Sequence, residues 1–274
     1  MAPADNYLSQ LFYKISIGTI VILLPIFFGF GDKQDLYRHV DQECLIPGER
    51  IEYRVHYGFI NAGEAILKMD EDLYSINNRP CYKIDVFGRT KGFFDMVTTV
   101  RDNWGTYLDT SAVISQMFYQ TIKEGKYLKK EVIEFDQINN VAVVNRLNKK
   151  DSSLIKKDSI PTISNIQDIV SGYYHMRTFN YDTMKSDQIF TVTGFFDDTT
   201  YHVKVKFLGR DKLKTKIGEF NTFLISPIMP KNSFFRGENP IKAWISDDRF
   251  RIPLKVKAEL LIGSLEIDIR SYDL

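Results

Sequence analysis

The feature that most constrains the fold is an alternation of apolar and polar residues that recurs along the chain. It is clearest over residues 254–260, where Leu254, Val256 and Ala258 are interleaved with charged residues. A period of two places every second side chain on the same face of a β-strand. Such a strand is apolar on one face and must bury that face against other elements. The sequence therefore predicts short strands that share a common core.

The alternating segments are separated by turn residues, which favours antiparallel hairpins. Gly58, Gly125 and the pair Asn139-Asn140 lie between such segments, and residues 59–63 are predicted as a hairpin connection. Strands are predicted over residues 51–57, 65–69, 82–86, 96–101, 104–108, 117–122, 127–135, 141–146, 188–193, 201–207, 213–217, 222–226, 254–260 and 265–269. The predicted fold class is therefore mainly β.

One segment has the period of a helix instead. Positions 166, 169, 170 and 173 are apolar, and Asn165 precedes them as a predicted N-cap. We expect a helix over residues 166–179. The basic, Ser-rich stretch 148–164 contains Pro161 and is predicted as a loop within one domain. Many antiparallel strands with one central helix predict an open or closed barrel-like sheet around that helix.

The first part of the chain contains a long uncharged apolar run over residues 15–31. This run is short for a bilayer span, and Pro25 followed by the small residues Gly29 and Gly31 is typical of a signal peptidase site. We expect export with cleavage near Gly31, and the alternative is an uncleaved anchor. The predicted organisation is a signal peptide or uncleaved anchor over 1–31, an N-terminal segment over 32–46 and a single β-rich domain over 47–274.

Two cysteines, Cys44 and Cys81, follow the apolar run. An oxidising compartment outside the cytoplasm permits a disulfide between them. Such a bridge would close a loop of about 37 residues and, on a chain-entropy argument, add roughly 4 kcal/mol to the stability. We predict a disulfide between Cys44 and Cys81, and the alternative is a pair of buried free thiols.

Charge and motifs argue against several functional classes. The 36 Lys and Arg residues balance 35 Asp and Glu residues, and a formal net charge of +1 does not favour binding to nucleic acid. The sequence has no phosphate-binding glycine motif, no nucleophile elbow and no metal-ligand spacing around its four histidines. The doublets Asp197-Asp198 and Asp247-Asp248 are interpreted as turn residues. We expect no enzyme, no cofactor and no metal.

Aromatic doublets suggest where a ligand would bind. Consecutive side chains on a strand face opposite ways, so one ring of each doublet leaves the core unless a ligand, a partner, a helix or a loop covers it. Trp104 lies in a further aromatic neighbourhood beside Arg101-Asp102. The candidate ligand-binding residues are Phe93, Phe94, Trp104, Phe195, Phe196, Phe234 and Phe235. The alternative is that the helix and loops cover these rings.

Motifs at both ends of the predicted domain resemble a known family. The opening motif is Pro47-Gly48-Glu49-Arg50 with Gly58-Phe59-Ile60-Asn61-Ala62-Gly63-Glu64-Ala65, and a closing motif is Ala243-Trp244-Ile245-Ser246-Asp247-Asp248. Over residues 47–270 the chain resembles the domain of unknown function 3108 family of exported bacterial envelope proteins. The resemblance implies a β-rich envelope protein, with a half-barrel like that of lipoprotein carriers. It implies no activity and no catalytic residue.

The functional expectation is a non-enzymatic envelope protein that holds a lipid or acyl chain in a curved sheet, with the predicted helix over the concave face. An alternative is an interaction or scaffold module that binds another envelope protein in an outer-membrane assembly. A third class, an enzyme acting on an envelope polysaccharide, requires two carboxylates in one cleft. We expect the exported protein in the periplasm or at the outer membrane, with membrane contact only through an uncleaved N-terminal segment.

Overall fold

A computed structural model of the protein describes residues 37–229 and 235–274. The predictions for the apolar run and for Phe234 lie outside the described residues. Within these residues, no helix has both the length and the apolar character needed to cross a bilayer.

Fourteen strands form one antiparallel sheet. In chain order they are β1 Arg50–Tyr57, β2 Ile60–Ile76, β3 Arg79–Thr90, β4 Arg101–Asp109, β5 Ser115–Glu124, β6 Tyr127–Asp136, β7 Val141–Leu147, β8 Leu154–Pro161, β9 Ile189–Phe196, β10 Thr199–Thr215, β11 Gly218–Pro227, β12 Ile241–Ser246, β13 Pro253–Glu259 and β14 Ser264–Asp273. The helices are α1 Gly92–Val97, α2 Ile169–Arg177 and a 3₁₀ turn over Tyr181–Thr183.

Strands that follow each other in the chain are neighbours in the sheet, so two meanders are formed. The first runs from β1 to β8 and the second from β9 to β14, and the pairing of β1 with β14 joins them. The sheet is open, with β8 and β9 at its edges. The predicted mainly β, antiparallel, barrel-like fold with a helix is therefore confirmed in its open form.

The two ends of the sheet approach each other through the segment that leads into α2. Gln167 donates from its backbone N–H to the carbonyl of Thr193 at 3.1 Å, and its own carbonyl accepts from Phe195 N–H at 2.7 Å. The Phe195 ring also lies 5.9 Å from the ring of Phe135 in β6. This segment covers part of the β9 edge, which would otherwise present unpaired backbone groups.

The helix α2 starts later than predicted because a different residue caps it. The Asp168 carboxylate accepts from the backbone N–H groups of Val170 and Ser171, and Ser171 Oγ accepts from Asp168 N–H. This reciprocal capping box fixes the first turn. Asn165 instead has a left-handed backbone with φ of 60°. Asp168 is therefore the N-cap, and the prediction of Asn165 was wrong.

Two local predictions were wrong at the edge of the sheet and beside it. The predicted loop over 148–164 contains β8, an edge strand whose mostly exposed residues show no alternation. Pro161 at its end is compatible with an edge, where a missing N–H donor breaks no ladder. The start of the predicted strand over 96–101 belongs to α1, where Asp95 accepts from Thr90 Oγ1 at 2.7 Å.

The predicted disulfide was also wrong. Cys44 and Cys81 are free thiols, and both are buried. Cys44 Sγ donates to Gln42 Oε1 at 3.7 Å, whereas Cys81 Sγ donates to the carbonyl of Arg79 at 3.4 Å. Burial raises the pKa of both thiols, that of Cys81 to about 12. Each thiol thus packs as a small apolar group within its own segment.

Candidate apolar ligand site

An apolar pocket lies between the inner face of the sheet and α2. Its volume is about 320 Å³. The sheet forms the floor and side walls, and one face of the helix forms the remaining wall. The lining residues are Tyr53, Ala65, Leu67, Val86, Trp104, Ile169, Val170, Tyr173, Pro253, Val256 and Ile267.

The register of the sheet brings the floor residues together. Leu67 pairs with Val86, and Val86 pairs in turn with Trp104, so the three side chains lie in one row on the same face. Gly88 allows the indole to approach the sheet closely, because a Cβ there would lie only 3.1 Å from Trp104 Cζ3. The row is therefore apolar, and its largest member lies against the backbone of β3.

Two phenol groups line the pocket, Tyr53 on β1 and Tyr173 on α2, and their polar ends are satisfied. Tyr53 donates to the carbonyl of Pro253 at 2.7 Å, and its oxygen lies 2.8 Å from the Tyr173 hydroxyl. Because a carbonyl only accepts, Tyr173 is the donor between the two phenols. Burial raises the pKa of Tyr53 and of Tyr173, so both remain neutral. The pocket wall therefore carries no charge at these positions.

A buried ion pair holds the carboxyl end of α2. The Arg177 guanidinium donates to both carboxylate oxygens of Glu49, at 2.7 and 2.6 Å, and to the carbonyls of Cys44 and Phe250. Tyr174 donates to the same carboxylate at 3.1 Å. Burial alone lowers the pKa of Arg177, but the hydrogen bonds and charge of Glu49 raise it above its usual value. Arg177 thus binds Glu49 in a bidentate pair in which neither side chain is exposed to solvent.

The amino end of α2 is attached to the sheet by a second buried group. The Asp168 carboxylate accepts from Thr106 Oγ1 in β4 at 2.6 Å, in addition to its capping bonds. Burial raises the pKa of this carboxyl. Polar contacts therefore attach the amino end of α2 to β4 and its carboxyl end to the segments that precede β1 and β13. The apolar residues of the helix face the pocket between these attachments.

Comparison with known families assigns the chain to a family. The profile of the family described as "Protein of unknown function (DUF3108)" matches residues 52–270. The chain belongs to the DUF3108 family. The resemblance found in its sequence motifs is therefore confirmed.

One solved structure supports the fold of this DUF3108 protein. It is the crystal structure of a β-barrel-like protein of domain of unknown function DUF1849 from Brucella abortus, with a TM-score of 0.52 and 12% sequence identity. The match covers 84% of this chain and 98% of that chain. At this identity the likeness establishes the fold alone. Comparison with curated proteins finds no match.

The structure of the DUF3108 chain separates the predicted ligand residues. Among those that the structure describes, only Trp104 lines the pocket. Phe195 is buried in the core, whereas Phe93 and Phe196 are exposed. Phe94 is half-buried against Tyr57. Phe235 is half-buried and pairs with Leu260, and Phe234 lies outside the described residues. The structure does not bring the doublets together around one ligand.

Sequence reasoning missed most of the lining residues because they look like ordinary strand residues. Val256 lies between two lysines, as a core residue of a strand does, and Ala65 lies in a predicted strand without any other distinguishing feature. They share a pocket because β1 lies between β2 and β14, and β14 pairs in turn with β13. The signal that would find them is the pairing of β1 with β14, which alternation alone does not contain.

Polar clusters in the described part of the DUF3108 protein have structural roles. Asp197 and Asp198 form the β9–β10 turn, and both have positive φ. Asp248 accepts from the N–H groups of Phe250 and Arg251 in the loop before β13. The interpretation of these residues as turn residues is confirmed. Residues 37–229 and 235–274 contain no group of three or more His, Cys, Asp or Glu side chains arranged to hold a metal.

Proposed function

We propose that this DUF3108 protein binds an apolar ligand, such as a lipid or an acyl chain, in the pocket beneath α2. The observation that carries the proposal is the composition of the pocket wall: aliphatic and aromatic side chains whose two hydroxyls are satisfied. Water gains few hydrogen bonds in such a space. An apolar ligand loses its own hydration on entering and has no polar cost there.

The size of the pocket supports a ligand of moderate size. Its volume of about 320 Å³ lies within the range of roughly 300–1,000 Å³ that is usual for small-molecule sites. It is about twice the size of an engineered cavity of roughly 150 Å³ that takes up benzene. The pocket therefore suits one end of an acyl chain better than a whole diacyl lipid.

The proposed role is non-enzymatic. The described lining residues include no carboxylate, imidazole, thiol or amine. The phenol groups of Tyr53 and Tyr173 are hydrogen-bonded to each other, and burial raises the pKa of both. These groups favour retention of an apolar molecule over acid–base or nucleophilic chemistry.

The proposed location is the cell envelope, reached by export. The apolar run over residues 15–31 supports this part of the proposal. Intact-mass analysis of protein extracted from the envelope measures the processed amino terminus. We expect the mature chain to begin within a few residues of Asp32. If the measured mass includes residues 1–31, the protein is anchored in the membrane by this segment and is not a cleaved, secreted protein.

The pocket is tested by titration with N-phenyl-1-naphthylamine, a neutral dye that fluoresces in apolar surroundings. We expect saturable binding to the unmodified protein. Ala65→Phe should abolish it, because the added ring occupies the pocket. The matched control is Ile66→Phe, since Ile66 is the next residue of β2 and faces the opposite side of the sheet.

Three further measurements keep this test decisive. Thermal unfolding of each variant shows whether the added ring has destabilised the fold, because overpacking costs about 1–3 kcal/mol. Val256→Phe fills the pocket from another strand and should also abolish dye binding. Native mass spectrometry of protein from its own envelope should show a bound lipid. Dye binding by folded Ala65→Phe and Val256→Phe equal to that of the unmodified protein would refute the proposed site.

A further inference from the structure

Three neighbouring turns at one end of the sheet expose large apolar side chains. They are the β1–β2 turn, α1 and the β13–β14 turn. Phe59, Met96 and Ile262 have exposures of 101%, 86% and 77%, the highest values among the large apolar residues of the described chain. We call this surface the tip patch, and its exposed residues are Phe59, Ile60, Phe93, Met96, Val97, Leu261 and Ile262.

Direct contacts join the three turns into one surface. The Tyr57 ring lies 6.3 Å from the ring of Phe94 in α1, and its hydroxyl donates to the carbonyl of Ile262 at 2.9 Å. Lys91, next to α1, donates from its backbone N–H to the carbonyl of Ala62 at 3.0 Å. Soluble proteins rarely expose contiguous apolar surface without a binding role. The tip patch therefore calls for an apolar partner.

The strands that line the pocket lead to the tip patch. On β1, Tyr53 faces the pocket, and Val55 and Tyr57 follow on the same face toward the turn. On β14, Ile267 lines the pocket, and Leu265 lies two residues closer to the tips. The apolar inner face thus extends from the pocket to the exposed turns.

Two acidic side chains near the tip patch form ion pairs with basic partners. Asp95 in α1 pairs with Arg101 at 2.8 Å. Glu64 in β2 pairs with both Arg89 and Lys91. These ion pairs compensate the negative charges of Asp95 and Glu64.

Two lysines beside the tip patch have no ion-pair partner in the described part of the chain. Lys123 and Lys126 flank the β5–β6 turn and are exposed. This turn contacts the end of α1, since Gly125 donates from its N–H to the carbonyl of Thr99 at 2.9 Å. Glu124 lies between the two lysines. The pKa of the nearby Asp102 carboxyl is raised mainly by burial and also by the charge of Glu124. Lys123 and Lys126 are thus exposed cations beside the apolar tips.

We propose that the tip patch inserts into the interfacial region of a bilayer with anionic headgroups. Apolar side chains on projecting turns, flanked by lysines, match the chemistry of such an interface. Insertion to a depth of about 5–10 Å buries the tips and places the lysines at the headgroups. Three separate projecting turns fit the deformable surface of a membrane better than the flat complementary surface of a protein. This inference goes beyond the proposed ligand pocket and does not require the pocket to be occupied.

The first test is flotation with vesicles made of equal parts phosphatidylglycerol and phosphatidylcholine. The triple variant Phe59→Asp, Met96→Asp and Ile262→Asp should lower the bound fraction about tenfold or more, because burial of one large apolar side chain is worth roughly tenfold in affinity. Ile138→Asp is the control, since Ile138 is 50% exposed in the β6–β7 turn at the opposite end of the sheet. Lys123→Gln with Lys126→Gln, or high salt, should weaken binding.

A second test locates the inserted surface even if residues 1–31 contribute to binding. Phe59→Trp and Ile138→Trp place a reporter at the two ends of the sheet, against the same background of Trp104 and Trp244. Vesicles containing brominated phosphatidylcholine quench a tryptophan that enters the bilayer. We expect several-fold stronger quenching for Phe59→Trp. Equal quenching of the two variants would overturn the proposal.

The remaining outcomes also decide the matter. If the unmodified protein does not bind anionic vesicles, or if the triple variant binds them equally well without preferential quenching at Phe59→Trp, the tip patch is not a membrane site. If the unmodified protein binds a partner protein but no vesicles, and the triple variant does not bind that partner, the tip patch is a protein interface instead. Titration of the triple variant with N-phenyl-1-naphthylamine distinguishes the two proposals. A triple variant that still binds the dye but no longer binds vesicles supports both the ligand pocket and the membrane site. If the unmodified protein binds vesicles but not the dye, only the ligand pocket is refuted.

Discussion

The buried ion pair between Arg177 and Glu49 provides a sharp test of how α2 is held. We consider Arg177→Met, which keeps much of the side-chain volume and removes the charge. The substitution removes hydrogen bonds to both Glu49 oxygens and to two backbone carbonyls. It leaves the Glu49 carboxylate, which has no solvent exposure, without its cation. Tyr174 remains as a single neutral donor.

The expected loss of stability follows from this burial. Removal of one partner from a buried ion pair costs about 3–5 kcal/mol, because the other charge stays desolvated and unpaired. For a domain of this size, each kcal/mol lowers the melting temperature by about 2–4 °C. We therefore expect a decrease of roughly 6–20 °C. Arg50→Met is the control, because the pair of Arg50 with Glu52 is partly exposed and should contribute at most about 1 kcal/mol.

Urea unfolding monitored by circular dichroism measures these free energies. The double variant Glu49→Leu with Arg177→Met removes both charges, and it should be more stable than Arg177→Met alone. If Arg177→Met lowers the unfolding free energy by less than about 1 kcal/mol, the carboxylate is not buried as described. A double variant as unstable as the single one would show that packing, rather than the stranded charge, causes the loss.

Three further predictions concern single positions. Phe195→Ala should cost about 3–5 kcal/mol in denaturant unfolding and Phe196→Ala less than about 1 kcal/mol, because only the first ring is buried; equal losses would contradict the core assignment. Cys44 and Cys81 should react with a maleimide only after unfolding, and labelling of the native protein would contradict their burial. Burial, followed by the charge of Arg38, lowers the pKa of His175 to about 3. Between pH 6.5 and 3 the unfolded state therefore binds a proton on His175 that the folded state does not bind. As the pH is lowered through this range, the free energy of unfolding should decrease by up to about 1.4 kcal/mol per pH unit. His175→Asn should show a shallower acid slope, and an unchanged slope would refute this assignment.

The sequence predicted the strands well where each strand buries one face. The alternation over residues 254–260 corresponds to β13, and that over 51–57 corresponds to β1. It failed at β8, where an edge position leaves most side chains in solvent and removes the alternation. It also failed at α1, whose short helical turn depends on hydrogen bonds of Asp95 to residues of the flanking strands.

The candidate site was less predictable than the strands because it depends on which strands are neighbours. Trp104 was identified by its aromatic character, but Ala65 and Val256 become pocket residues only through strand pairing. The aromatic doublets were misleading, since Phe93 lies in α1 and Phe196 lies next to a turn. The opening motif located the domain but did not show that Glu49 is the buried partner of Arg177.

The pairing of the first strand with the last has a consequence for the order of folding. Arg50 at the start of β1 lies opposite Asp273 at the end of β14, so the centre of the sheet joins segments more than 200 residues apart. During synthesis, β1 pairs with β2 on one side and has no partner on the other side until β14 emerges. Until then, the growing chain presents an open β1 edge that can pair with other chains. A circular permutant that links these adjacent ends and opens the chain between β8 and α2 would pair β14 with β1 early, and it should refold faster with less aggregation.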